Sequence, residues 1–281
     1  MVSALTLVCI TLATLLIAAL PIWLYRKTKP RFGFERRDVI VGIAVFALFS
    51  MVIERGLHGL VLSNATTVGL LLNPAIFVIY GALATGICEE VGRYAGMKWL
   101  IRRDPGSLQR PGTALGYGIG HGGAEAWLVG VLVQLQWILY ALLADRGMLD
   151  QYFTSVPAES LLRMHAVLGS LAPETAALFL VERAAAFVFQ VGLSVAMWHM
   201  LRERFRFTLP FMIVAHALIA LPVALYQARL IQLIAADAVY LVFGLIVMRA
   251  LRRYFLGVAA AANRAARVAG VTDVSSGKAG D

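Results

Sequence analysis

The 281-residue sequence predicts an all-α, polytopic transmembrane bundle of about seven spans, with six to eight as the range. Three observations predict it. The chain is 60% hydrophobic and only 15% charged, with a mean hydropathy of +0.78, whereas soluble domains run at about 45–50% apolar and about 25% charged. Its apolar residues fall into long runs, and its basic residues gather in alternate breaks between those runs. The first observation excludes a soluble enzyme, a disordered chain and a coiled coil. At about 25–35 residues per span and loop, the length leaves no room for a large soluble domain. A net charge of +9 suggests nucleic acid in a soluble protein. Here the positive-inside rule accounts for it, and no nucleic-acid partner is expected. Cys9 and Cys88 lie inside apolar runs and point to neither a disulfide framework nor a zinc finger.

The spans are justified in order. Residues 4–25 are apolar, with no basic n-region and no A-x-A site, so they read as a retained first span, not a cleaved leader. Residues 39–62 and 70–100 form the second and third spans; both overrun a bilayer, which predicts tilt or kinks. The fourth, 113–144, opens on a glycine-rich stretch, and 174–201, 207–227 and 230–250 complete the set. The one longer connection, 145–172, has an amphipathic pattern over Glu159–Leu171. Residues 1–255 thus form a single transmembrane domain, and 256–281, Ala-rich and then Gly/Ser-rich, read as a mobile cytoplasmic tail.

Nineteen of the 25 basic residues fall on one side of this map. They lie at 26–37, 98–110, 202–206 and 249–278, whereas Arg55, Arg146, Arg163 and Arg229 fall toward the other side. This bias places the N-terminus outside and the C-terminus in the cytoplasm.

Polar side chains inside spans cost several kcal/mol and need a partner or a function. The third span carries Cys88-Glu89-Glu90-Val91-Gly92-Arg93-Tyr94, and the fourth Gly118-Ile119-Gly120-His121-Gly122-Gly123-Ala124-Glu125. The fifth carries Glu182, Arg183, Gln190 and Ser194, and the sixth His216. Glu90, His121, Gln190 and His216 each stand 10 to 12 residues from a basic residue at a span end. At about 1.5 Å per residue this puts all of them some 15–18 Å deep, in one layer near the midplane. Four spans sharing a polar layer predict a buried chamber.

His121 and Glu125 are at i, i+4, a spacing at which imidazole and carboxylate can hold one divalent cation, zinc being expected, with His216 as a third ligand from another helix. Glu89 and Glu90 are about 100° apart on their helix, so one suits a general base and the other a structural partner. Arg93 can hold either of them ionised. The plainer readings are a helix-gluing ion pair for Glu89–Arg93, a structural hydrogen bond for His121–Glu125 and a core histidine for His216. Glu182-Arg183 has a structural role as first choice, Glu54, Arg55 and His58 read as interfacial, and Asp237 as a lone buried carboxylate.

The run 86–94 followed by 118–126 resembles the YhfC family of intramembrane metalloproteases, related to the CPBP clan that includes the CAAX prenyl endopeptidases. The resemblance extends over nearly the whole chain. It implies that Glu89 and Glu90 activate water, that Arg93 is the motif arginine, and that His121 and His216 are the site histidines. Two positions depart from the pattern: Gln190 stands where the family has a histidine eight residues after Glu182, and Ala220 where it tends to have an acidic residue. Glutamine is a poor zinc ligand. Glu125 then replaces it, or the site works without metal, or catalysis has been lost.

The leading reading is a membrane-embedded peptidase acting on a peptide or membrane-protein substrate within the lipid bilayer. Glu89 or Glu90 deprotonates a metal-polarised water, and Arg93 or Gln190 assists the oxyanion, with Ser194, Glu182 and Arg183 as auxiliaries. The rivals are a catalytically inactive binding or chaperone-like relative, favoured by Gln190 and Ala220, and an ion- or proton-coupled transporter, against which there are no repeated halves. Substrate identity, side of entry and oligomeric state are not encoded legibly.

Overall fold

Apolar runs of this length have one stable solution in lipid, because only a helix satisfies its own backbone hydrogen bonds there. The computed structural model describes residues 2–276, with side chains as far as Ala261 and at Arg264. Among the described residues seven helices are long and apolar enough to cross a membrane. They are span 1 (Ala4–Phe32), span 2 (Arg36–Ser63), span 3 (Pro74–Arg103), span 4 (Pro111–Asp145), span 5 (Pro173–Arg202), span 6 (Thr208–Gln227) and span 7, whose apolar part is Leu233–Ala261. The all-α reading and the seven spans therefore hold. The helix of span 7 runs on to Ser276, so the expected tail is helical as far as it is described, and 277–281 lie outside the described residues.

The local chemistry explains the ends. Ser3 caps span 1 by accepting from the Thr6 N–H at 3.1 Å, and Gly33, at φ 63°, closes it with its N–H on the Lys29 carbonyl. Pro74, Pro111 and Pro173 start spans 3, 4 and 5, where a missing N–H costs nothing. Asp104, between spans 3 and 4, accepts from Arg37 at 3.1 Å and Arg110 at 2.5 Å. The Arg110 hydrogen bond holds its carboxyl below the usual carboxylate range. The long connection contains the expected amphipathic helix, at Ala158–Ser170.

Two departures from regular helix were not legible. Span 2 widens to a π-turn over Phe49–Glu54, and span 4 does so over Ala126–Val131, directly after Glu125. Such turns shift the angular position of everything beyond them, and they concentrate at functional sites.

Span 4 occupies the middle of the bundle, packed on spans 1, 2 and 5. Its glycines make this possible. A Cβ on Gly120 would stand 2.0 Å from the Val39 carbonyl oxygen of span 2. One on Gly118 would meet Ser194 at 3.0 Å, and one on Gly122 would meet Gln190 at 2.9 Å, both on span 5. Backbones close enough to exclude a methyl group seat span 4 so that His121 meets Phe46 of span 2 and Glu89 and Arg93 of span 3. Gly120→Ala is expected to force spans 2 and 4 apart and to cost about 1–3 kcal/mol. A melting temperature in detergent equal to wild type would contradict this packing.

Candidate active site

The polar layer assembles around Arg93, whose side chain is fully buried. Its guanidinium is planar with donors pointing in fixed directions, so it can tie several helices at once. Nε donates to both Glu90 oxygens at 3.1 and 3.0 Å. Nη1 donates to Ser194 Oγ at 2.5 Å and to the Gln190 carbonyl at 3.3 Å. Nη2 donates to Gln190 Oε1, and it lies 3.3 Å from His121 Nε2 and 3.8 Å from Glu89 Oε2. One side chain of span 3 thus holds spans 4 and 5.

The two glutamates diverge, as their angular separation requires. Glu90 is completely buried, with both oxygens on Arg93 and Oε1 also 2.7 Å from His216 Nδ1. Glu89 turns the other way. Its Oε2 accepts from Gln190 Nε2 at 2.8 Å and lies 3.2 Å from His121 Nε2. Glu89 also lines a cavity of 380 Å³, which Glu90 does not reach. His216 lines the same cavity, oriented from behind by Glu90. His121 is fully buried, stacked on Tyr117 at 5.9 Å with Phe46 edge-on at 5.3 Å.

Glu125 is placed differently from its expected partnership with His121. It accepts from Arg183 Nη1 at 3.2 Å and from Gln190 Nε2 at 2.7 Å. Arg183 in turn donates to Glu182. Gln190 therefore bridges two carboxylates with its amide nitrogen and takes Arg93 on its oxygen. Its flanking groups permit only this orientation, since the nitrogen must face the acceptors and the oxygen the donor.

The donor types suit zinc, but the arrangement does not. His121 Nε2 meets a carboxylate and a guanidinium nitrogen, His216 Nδ1 meets Glu90, and Glu125 is taken up by Arg183 and Gln190. Among the described residues no three of His, Cys, Asp or Glu converge on a point that could hold a metal ion. The expected ligand set of His121, Glu125 and His216 is thus not assembled, because Arg183 already faces Glu125 and Arg93 faces Glu89 and Glu90.

Glu54 and His58, which read as interfacial from the sequence, have hydrogen-bonding partners on span 3. Glu54 accepts from Thr85 Oγ1 at 2.6 Å, and its side chain is 12% exposed. His58 Nδ1 lies 2.7 Å from the Tyr80 hydroxyl, and His58, Tyr80 and Thr85 all line the cavity. The available signal was spacing: Thr85 is one turn before Glu89, and Glu54 and His58 are four apart. Asp237 faces a second cavity of 290 Å³, shared with Glu182.

The 380 Å³ cavity is directional. From Glu89 and His216 at mid-helix it runs past Tyr80 to Phe77, near the start of span 3, and to Gln227, the last residue of span 6. It therefore leads away from the ends that carry Arg102, Arg202 and Arg206. Apart from the cluster its walls are largely apolar, with Leu193, Ile219, Ala220 and Val223 prominent.

Comparison with known proteins follows the same residues. The family model for the YhfC intramembrane metalloprotease matches residues 16–241. An "Uncharacterized membrane protein YhfC" of Bacillus subtilis (strain 168) is 31% identical over 238 residues, covering 84% of this chain and 91% of that protein. No solved structure matches. Because the match begins within span 1, ends within span 7 and takes in every member of the Arg93 cluster, the chain belongs to the YhfC intramembrane metalloprotease family.

Proposed function

We propose that the protein is an intramembrane peptidase that hydrolyses a peptide bond of a membrane-associated substrate with a water activated by Glu89. The observation that carries this is the divergence of the pair: Glu89 faces the cavity, and Glu90 is held behind the wall by Arg93 and His216. A carboxylate on a confined space beside an imidazole is the arrangement that general base catalysis requires.

In this reading Glu89 takes a proton from water as the oxygen attacks the peptide carbonyl. A C–O bond forms, and the carbonyl electron pair moves onto oxygen. His216 acts as the imidazolium, with its Nδ1–H on Glu90 and its Nε2–H donated to the oxyanion. Collapse breaks the C–N bond, and Glu89 returns its proton to the leaving amine. Gln190 orients Glu89 from the cavity wall, and Arg93 anchors Glu90 behind it. Divalent-metal participation, suggested by the family's name, has no step here, because the ligands do not converge.

On the basic-residue bias, the N-terminus is outside and the C-terminus cytoplasmic in a bacterial inner membrane. The cavity then opens toward the outer face, and an apolar peptide segment enters from there. Ala220, one turn from His216 on the cavity wall, leaves space where a larger side chain would intrude. Ala220→Phe is expected to lower kcat/KM for a membrane-embedded peptide at least about tenfold, with little change in melting temperature. Unchanged cleavage would remove the cavity as the substrate path.

A second reading has one observation in its favour. Gln190 and His121 both occupy Oε2 of Glu89, which suits a binding protein that has lost hydrolysis. It predicts that Glu89→Gln retains biological activity.

A further inference from the structure

Spans 1 and 7 both pack on span 5, and between them they leave a groove of 460 Å³ on the outer surface of the bundle. Its walls are apolar along their length, with Leu20 from span 1, Val188 from span 5 and Met248 from span 7. One end is strongly basic: Lys27 and Arg31, one turn apart on span 1, face the groove with Arg252 of span 7. The rings of Phe32 and Phe255, 4.8 Å apart, join the two helices there.

The cations have no anionic partner among the described residues. The other ion pairs at this end of the bundle use Arg37, Arg110 and Arg202. Lys27 instead rests over the Trp23 ring at 4.6 Å, and Arg31 over Phe32 at 5.6 Å. From Leu20 to Arg31 the groove follows about 16 Å of helix. That is close to half of a bilayer's hydrocarbon thickness of about 30 Å. It is therefore one leaflet deep, with its cations at headgroup level.

We propose that this groove is a specific site for an anionic phospholipid. One acyl chain lies along Leu20, Val188 and Met248, and the phosphate sits among Lys27, Arg31 and Arg252. Apolar walls alone would take any lipid chain. Three cations without an anionic partner among the described residues, gathered at one end, select a negative headgroup. Its span-5 residues, Phe187, Val188 and Val191, are distinct from Ala186, Phe189, Gln190 and Leu193 of the 380 Å³ cavity, so the site is independent of the proposed chemistry.

The test is lipid retention. Full-length protein is extracted from vesicles of phosphatidylcholine and phosphatidylglycerol, and bound lipid is read by native mass spectrometry. Wild type is expected to retain phosphatidylglycerol in preference to phosphatidylcholine. The triple variant Lys27→Gln/Arg31→Gln/Arg252→Gln should lose that retention at least about fivefold. The control triple Arg202→Gln/Arg204→Gln/Arg206→Gln removes the same charge from the same end and should keep it. Val188→Trp, which fills the groove without altering charge, should also lose it, and it serves if the first triple does not fold. Equal losses in the two triples would mean a diffuse surface effect and overturn the proposal. So would equal retention of both lipids by wild type, or full retention by Val188→Trp.

Discussion

Glu89→Gln is expected to lower peptide cleavage by about 10²–10⁴-fold, the usual contribution of a general base, while leaving the protein folded. The amide keeps the size and polarity of the carboxylate but cannot take a proton from water. Because Glu89 faces the cavity at one side, its replacement leaves the Glu90–Arg93 pair intact. Glu90→Gln should behave differently. It weakens the anchor of both Arg93 and His216, so activity and melting temperature should fall together. The measurement is cleavage of a membrane-embedded peptide in proteoliposomes, paired with a melting curve for each variant. Full cleavage by Glu89→Gln would sink the proposed mechanism. Loss of cleavage only in Glu90→Gln would exchange the two roles.

Arg93→Met is expected to be the most destabilising single substitution in the chain, at about 3–5 kcal/mol, the cost of leaving a buried charge unpaired. Glu90 would keep only His216, and Gln190 and Ser194 would lose a shared donor. Three helices meet at this guanidinium, so the loss should appear as lower cooperativity as well as a lower midpoint in denaturant. Arg93→Lys should recover only part of it, because one ammonium cannot direct donors to Glu90, Ser194 and Gln190 together. A wild-type midpoint for Arg93→Met would mean that the cluster does not hold the spans together.

The reach and the limit of the sequence both follow from how a membrane helix is built. Each span satisfies its own backbone, so its existence is a local property, and hydropathy alone places all seven. Axial depth is also local, at a fixed rise per residue. The distances of Glu90, His121, Gln190 and His216 from their basic flanks therefore placed them in one layer, and their hydrogen bonds join them there.

Rotation about the helix axis is not local. Glycine contacts such as Gly120 on Val39 set the angle at which span 4 faces its neighbours. The π-turns at Phe49–Glu54 and Ala126–Val131 reset that angle with no signature in residue type. His121 and Glu125 share one regular helical segment, Pro111–Glu125, and the partners that other spans bring to each decide the outcome: His121 meets Glu89 and Glu125 meets Arg183. Beyond the first π-turn, His58 meets Tyr80 and lines the cavity, while Glu54 accepts from Thr85. The sequence by itself determined the spans, the depth of the polar layer and the residues that populate it. Only the tertiary structure decided which of two adjacent glutamates meets the cavity and which is locked behind Arg93, because that choice depends on side-chain packing between helices far apart in the chain.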